Sequence, residues 1–324
     1  MNNNPLVSIL SPCYNVEKYL PKCLDTIIGQ TYSNLQIVLI DDGSKDGTWK
    51  IMQEYAVKDS RIEIYHQDNK GVATTRNNLL DKVKGDFVLF VDSDDWIELD
   101  MVDYLVRKAI DNDSSVVTCG MVQNDDPFDL LLYNEEIWER PKVICEFLRH
   151  VSFRGSLWNK LVATSLLHNI RFHCGISYGE DALFCWGFLQ YADIVVVTNK
   201  ILYHYRMNMD SISHKSFGSK KLTGHETWHI ITEETAKLWP QYIEIAQARW
   251  GMEDMYLLRQ AGQSGYKKNE SIKLLQKTVR GFLSQMRIVG LLKGREILNA
   301  YILSVWYEYG YLYSFLNKVK NRLK

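Results

Sequence analysis

Glycine is missing where a dinucleotide-binding fold needs it. The turn after the first apolar run reads Ser11-Pro12-Cys13-Tyr14-Asn15, and without the GxGxxG glycines a backbone cannot approach a pyrophosphate in the Rossmann dehydrogenase manner. The six cysteines, at 13, 23, 119, 145, 174 and 185, include no CxxC pair and no tight spacing with histidine. That excludes a zinc ribbon and a dithiol redox motif and predicts reduced thiols. The start, Met-Asn-Asn-Asn-Pro, lacks the basic and apolar stretches of a secretory signal, so the expectation is a cytoplasmic chain. No apolar run reaches membrane-spanning length unbroken. The nearest, Ile297–Leu316, is interrupted by Asn299, Ser304, Glu308 and Ser314 and reads as a packed or interfacial helix. Net charge is scarce as well: 38 Lys and Arg against 39 Asp and Glu leave −1, which argues against nucleic acid as a partner.

What the chain does have is bulk and pattern. Its 324 residues are 46% hydrophobic, enough for one large or two modest domains. The neutral average hides a split, because residues 1–219 hold 21 basic and 30 acidic side chains and residues 220–324 hold 17 and 9. Leu6–Leu10, Leu35–Ile40, Ile62–His66 and Phe87–Val91 are short strand-like runs. Val16–Ile28, Thr48–Val57 and Gly71–Val83 between them have helical spacing. Such β-α alternation with strands apolar on both faces predicts a mostly parallel, doubly wound sheet. Further strands are expected at Val116–Cys119 and Ile194–Val197, and helices at Pro141–Val151 and Asp181–Tyr191. From about Lys220 strand signals cease, and Glu226–Leu238, Tyr242–Gln260, Ser271–Val289 and Arg295–Leu323 read as helices.

Doubly wound sheets bind ligands beyond the carboxyl ends of their strands, and the polar clusters fall there. Asp92-Ser93-Asp94-Asp95 follows the Phe87–Val91 run directly. Three carboxylates in four residues repel one another, which a fold tolerates when a hard cation or a donor network neutralises them. The same turn would also suit the start of a helix over Glu98–Ile110, but its strand-end position favours the cation. Asp41-Asp42-Gly43-Ser44-Lys45-Asp46-Gly47-Thr48 supplies a tight turn and acceptors for a base or ribose. It nearly imitates a calcium loop, but Gln53 stands where the bidentate carboxylate belongs. Gly71–Asn78 opens a helix whose N-terminus suits an anion, and Arg76 is either a fixed cation there or a surface arginine. Glu180 and Asp181 open another helix, and either can be a proton acceptor for a hydroxyl nucleophile or an N-terminal cap.

In this order the segments Val7–Asn15, Ile40–Thr48, Gly71–Asn77 and Val91–Asp95 resemble the nucleotide-sugar-binding half of family 2 glycosyltransferases, inverting enzymes of the GT-A fold. Trp158-Asn159-Lys160, Arg171-Phe172, Tyr178–Asp181 and Tyr203-His204-Tyr205-Arg206 extend the likeness to the type that builds bacterial surface polysaccharides, over about residues 5–212. The resemblance implies an α/β GT-A domain over residues 1–215, Rossmann-like in its sheet, followed by an all-helical region over 216–324. It also implies roles. Pro12, Tyr14 and Asn15 would hold the base, Asp41 would bond a uracil ring, Asp42 would support that loop, and Arg76 would face the nucleotide. Asp92 would reach the ribose with Ser93 beside it. Asp94, assisted by Asp95, would bind Mn²⁺ or Mg²⁺ bridging the diphosphate. Asp181 would be the general base, with Glu180 the second candidate. Trp158, Lys160, His204 and Arg206 are candidate contacts to the diphosphate or acceptor. The partners that the resemblance implies are a nucleotide-sugar donor of the UDP class and a glycan or lipid-linked acceptor.

Two rivals come from the residues themselves. His225-Glu226-Thr227-Trp228-His229 spells HExxH, the zinc-peptidase pattern, with Glu253 as a conceivable third ligand. A non-catalytic sugar-nucleotide-binding module is the other, and the joint presence of Asp94, Arg76 and Asp181 argues against it. Gln247-Ala248-Arg249-Trp250 misses the QxxRW of processive synthases by one residue. Lys267–Arg295 holds eight basic residues and one acid, Glu270. Beside tyrosine-rich helices this suits either an anionic membrane surface, with the protein peripheral on the inner face, or a solvated helical face. Sugar, linkage and oligomeric state are not written in these motifs.

Overall fold

The computed structural model describes residues 4–123, 134–151, 153–207 and 217–311. It divides into two compact units that interleave along the chain: a sheet unit of residues 1–143, 156–172 and 187–209, and a helical unit of 144–155, 173–186 and 210–324.

The sheet unit opens with β1 (Val7–Cys13), α1 (Leu20–Ile28), β2 (Leu35–Asp41), α2 (Thr48–Lys58), β3 (Ile62–His66), α3 (Val72–Leu80) and β4 (Phe87–Phe90). β2 and β4 are buried at every residue, as is nearly all of β1, which is why their sequences are continuous apolar runs. β3 ends the row, and of its residues only Ile62 is buried. α1 covers the sheet through Leu20, Cys23, Leu24 and Ile27, and Pro21 sits in its first turn, where a missing N–H costs nothing.

Beyond β4 the sheet changes character. After β5 (Trp96–Ile97) and α4 (Met101–Asp111) come β6 (Val116–Gln123), β7 (Glu135–Glu139), α5 (Arg140–Arg149), β8 (Lys160–Ala163), α6 (Glu180–Leu189) and β9 (Ile194–Tyr205). The sheet order is β3-β2-β1-β4-β8-β6-β9-β5, with β7 added on β9. β8 runs antiparallel to both β4 and β6, while β6 and β9 pair in parallel, so the mostly parallel sheet becomes mixed beyond β4. β1 to β4, the parallel half, positions the strand-end clusters.

The helical unit contains α7 (Thr223–Leu238), α8 (Ile243–Ser264), α9 (Glu270–Ile288) and α10 (Arg295–Val305). α8 stops at Gly265, whose φ of +66° provides a left-handed cap, and α9 starts at Asn269, whose side chain accepts from the Ile272 N–H. Small residues let these elements approach closely: a Cβ on Gly262 would lie 2.2 Å from the Tyr307 carbonyl oxygen. The expected helix to Leu323 ends at Val305, and residues from 312 lie outside the described ones. Among the described residues no helix is long and apolar enough to cross a membrane. The six cysteines are free thiols.

Candidate active site

Register places the clusters. Cys13 pairs with Asp41 across β1 and β2, and Leu10 pairs with Phe90 across β1 and β4, so residues 11–15, 41–44 and 92–95 leave one edge of the sheet together. Asn15 takes a left-handed φ of 52°, which asparagine tolerates. Its N–H donates to Ser44 Oγ at 2.9 Å and its Oδ1 accepts the Lys45 N–H at 2.8 Å, tying the first loop to the second. Asp41 is fully buried; its carboxylate accepts from the Ser44 N–H and lies 2.7 Å from His66 Nδ1. Asp42 accepts from the Gln67 amide and from the N–H groups of Lys70 and Gly71, so it holds the entry to α3. Tyr14 stands exposed beside them. From α3, Arg76, 5% exposed, donates through Nη2 to Asp92 Oδ1 at 3.2 Å and lies over the Phe172 ring.

The acidic turn itself is divided in function. Ser93 Oγ donates to the Pro12 carbonyl at 2.8 Å, fixing the turn to the end of β1. Asp95 is buried, and both of its oxygens are engaged: Oδ2 accepts from the Tyr203 hydroxyl at 2.6 Å and Oδ1 from the Arg206 N–H at 2.7 Å. Asp92 and Asp94 are half-buried. Burial, and then the charges of Asp92 and Asp94, push the Asp95 carboxyl up to about 8. This crowding of hard oxygen donors is what a divalent cation relieves, so the residues fit Mn²⁺ or Mg²⁺. Among the described residues no group of three or more His, Cys, Asp or Glu is assembled to hold a metal. Mg²⁺ is ordinarily held by one or two carboxylates with substrate phosphates completing its shell.

Residues 8–175 match the family model of Glycosyl transferase family 2. The chain belongs to this family. Among its curated relatives, EpsH of Bacillus subtilis strain 168 is 32% identical over 72% of this chain and 71% of its own length. GlyA of Streptococcus pneumoniae serotype 4 is 34% identical over 64% of this chain, but the match spans only 31% of GlyA. A crystal structure of residues 1–349 of Staphylococcus aureus TarS has the same fold, with a TM-score of 0.69 at 21% identity over 94% of this chain and 89% of that one.

Within this family 2 glycosyltransferase the remaining candidates fall into three groups. Arg206 lies at the acidic turn: its Nε donates to the Asp94 carbonyl at 2.8 Å, and its guanidinium is stacked over Tyr19 and Trp96. His204 also faces Trp96, stacking at 5.1 Å, and its Nε2 lies 2.7 Å from Glu98 Oε1. Trp158 stacks on Tyr203 and Tyr205, while Lys160 is 2% exposed and donates to the Ser156 carbonyl and Asn159 Oδ1. Glu180 and Asp181 begin α6 in the helical unit. Sequence reasoning passed over Tyr203 and Trp96. Tyr203 lay inside a quoted motif, and the period of two along β9, which sets 203 and 205 against 204 and 206, was the signal that separates its role from that of His204.

The HExxH pattern is occupied by packing. Trp250 of α8 contacts both histidines, its ring 5.2 Å from His225 and stacked at 4.8 Å on His229. His225 Nδ1 lies 2.7 Å from Asp254, and Glu253 pairs with Arg249 at 2.8 Å. The zinc-peptidase reading therefore gives way to the glycosyltransferase.

Proposed function

We propose that the protein transfers a hexose or N-acetylhexosamine from a UDP-sugar, with inversion, to a hydroxyl of a glycan or lipid-linked saccharide in bacterial surface polysaccharide synthesis. The observation that carries this reading is the alignment of the 41–44 loop, Arg76 and the 92–95 turn on one edge of the parallel strands. TarS has been solved with UDP-GlcNAc, and a mannosyltransferase of the same fold, from Pyrobaculum calidifontis, with GDP-Man and Mn²⁺. Residues 8–15 and 41–48 bind the nucleoside, and Arg76 faces the diphosphate. Asp94 and Asp92 are the carboxylates that would hold Mn²⁺ or Mg²⁺. Asp95, whose oxygens are both bonded within the protein, shapes the turn from behind.

In the reaction the bond from the anomeric carbon to the diphosphate oxygen breaks as the acceptor hydroxyl oxygen bonds to that carbon from the opposite face. The hydroxyl proton passes to the Asp181 carboxylate, and the nucleoside diphosphate carries away the bonding electrons. A bound divalent cation supplies Lewis-acid stabilisation of that departing charge. Thermal unfolding with UDP-glucose, UDP-galactose, UDP-N-acetylglucosamine or UDP-N-acetylgalactosamine, with and without Mn²⁺, tests the donor class. A Mn²⁺-dependent rise with at least one is expected; no rise with any would overturn it.

A peripheral membrane position belongs to the same proposal. Lys273, Lys277, Arg280 and Arg287 form an exposed stripe along α9, flanked by exposed Leu274 and Ile288, and α10 exposes Leu298, Tyr301 and Val305. Glu270 offsets Lys273. Each Lys or Arg near an anionic leaflet contributes about 1 kcal/mol. Full-length protein should sediment with phosphatidylserine vesicles, and Lys277→Glu/Arg280→Glu should not. Equal binding by both, or none by either, removes the membrane reading.

A further inference from the structure

Residues 177–179, the three that lead into α6, are gripped by one turn of α7. The Thr223 hydroxyl accepts the N–H groups of Ser177 at 3.2 Å and Tyr178 at 2.9 Å while donating to the Lys220 carbonyl at 2.8 Å. A hydroxyl has two acceptor sites and one donor, so Thr223 is fully used. One turn on, Thr227 Oγ1 lies 3.5 Å from the Tyr178 carbonyl oxygen. Thr227 also walls Gly179, where a Cβ would stand 2.8 Å from that hydroxyl oxygen and 3.2 Å from the methyl carbon. Gly179 has φ +90°, a conformation that side chains avoid, so glycine is required here for both space and backbone. Its carbonyl then accepts the Leu183 N–H at 3.1 Å as the helix begins. Between the two threonines Gly224 receives the Tyr178 ring, which a Cβ would meet at 2.9 Å.

Loop entries to helices are ordinarily mobile, but this one is tied by two backbone N–H groups to Thr223 and walled at Gly179 by Thr227. We infer that Thr223 and Thr227 are positioning residues that fix the direction in which Asp181 presents its carboxylate. The inference rests on Asp181 being the proton acceptor. An acceptor displaced by about 1 Å can cost up to a hundredfold in rate. Thr223→Val keeps the shape and removes the acceptor, leaving the Ser177 and Tyr178 N–H groups unmet. Thr223→Ser keeps the acceptor. Neither substitution touches residues 8–95.

The experiment measures UDP release from the four UDP-hexoses above with water as acceptor, taking the fastest donor. Thr223→Val should lower kcat about tenfold with donor KM within about twofold, and Thr223→Ser should restore it. In an Asp181→Asn background Thr223→Val should cost nothing more, because it acts through that carboxylate. Wild-type kcat in Thr223→Val, or a further tenfold loss in the double variant, overturns the inference. Full activity in Asp181→Asn alone would instead reject the proton-acceptor assignment. If Thr223→Val does not fold, Thr227→Ser takes its place: it removes only the methyl behind Gly179, a loss of kcat at unchanged KM supports the positioning role, and wild-type kcat overturns it.

Discussion

Asp41, Asp42 and Asp95 in the sheet unit are as inaccessible to water as Glu253 and Asp254 in the helical unit, but their charges are handled differently. The first three draw mainly on neutral donors: the N–H groups of Ser44, Lys70, Gly71 and Arg206, the Gln67 amide and the Tyr203 hydroxyl, together with the His66 ring beside Asp41. Glu253 faces the Arg249 guanidinium, and Asp254 the His225 ring. A neutral donor satisfies a carboxylate without cancelling its charge, whereas a guanidinium cancels it. Glu253 is thus matched by a cation, whereas Asp95, pushed up to about 8 by burial and by the charges of Asp92 and Asp94, is held at the strand ends mainly in its neutral form at pH 7. The acidic excess of residues 1–219 and the basic excess of 220–324 follow the same division.

Four measurements strain this contrast. The largest effect belongs to Asp181→Asn, expected to lower kcat by about 10²–10⁴ with Mn²⁺-dependent UDP affinity intact by calorimetry. If affinity falls too, the helical unit's carboxylate is not confined to chemistry. Asp94→Ala should weaken that affinity about a hundredfold; an unchanged value would mean that Asp94 holds no cation. Third, Arg249→Leu leaves Glu253 buried and uncompensated, and urea unfolding should register a loss of about 3 kcal/mol. Arg249→Met with Glu253→Met should recover most of it, since the pair contributes cohesion and not chemistry.

Smallest is an ordinary ion pair in the sheet unit. Hydrogen bonds from Arg61, opposed in part by burial, hold the Asp59 carboxyl below its usual 3.8. A depressed acid stabilises the fold above its unfolded value and loses that contribution as pH falls through the folded one. Asp59→Asn should thus cost under about 1 kcal/mol at pH 6, with the gap to wild type closing as pH drops below 3.8.

The contrast also governs what the sequence could disclose. In a parallel β-α succession every strand leaves the same edge, so Leu35–Ile40 and Phe87–Val91 located the 41–48 and 92–95 clusters before any coordinates. The mixed half beyond β4 carried no such signal. β5 is two residues long, and β7, Glu-Glu-Ile-Trp-Glu, buries only Trp138 because β9 is its sole neighbour in the sheet. Nor could periodicity predict that Thr223 would meet Tyr178, 45 positions earlier, or that Trp250 would fill the HExxH face. These are pairings between distant segments, and local pattern is silent about them. Asp95 was legible as an acid but not as a buried one, because its burial depends on Tyr203 from the far end of the sheet.

The interleaving of the two units bears on how the chain is made. Residues 173–186 leave the ribosome well before α7, whose Thr223 and Thr227 hold Ser177, Tyr178 and Gly179. At roughly 5–20 residues per second, the segment bearing Asp181 waits several seconds for the threonines that shape it, while the strands before it can already pair. The nascent protein would thus form its parallel strands before the entry to α6 is held by α7.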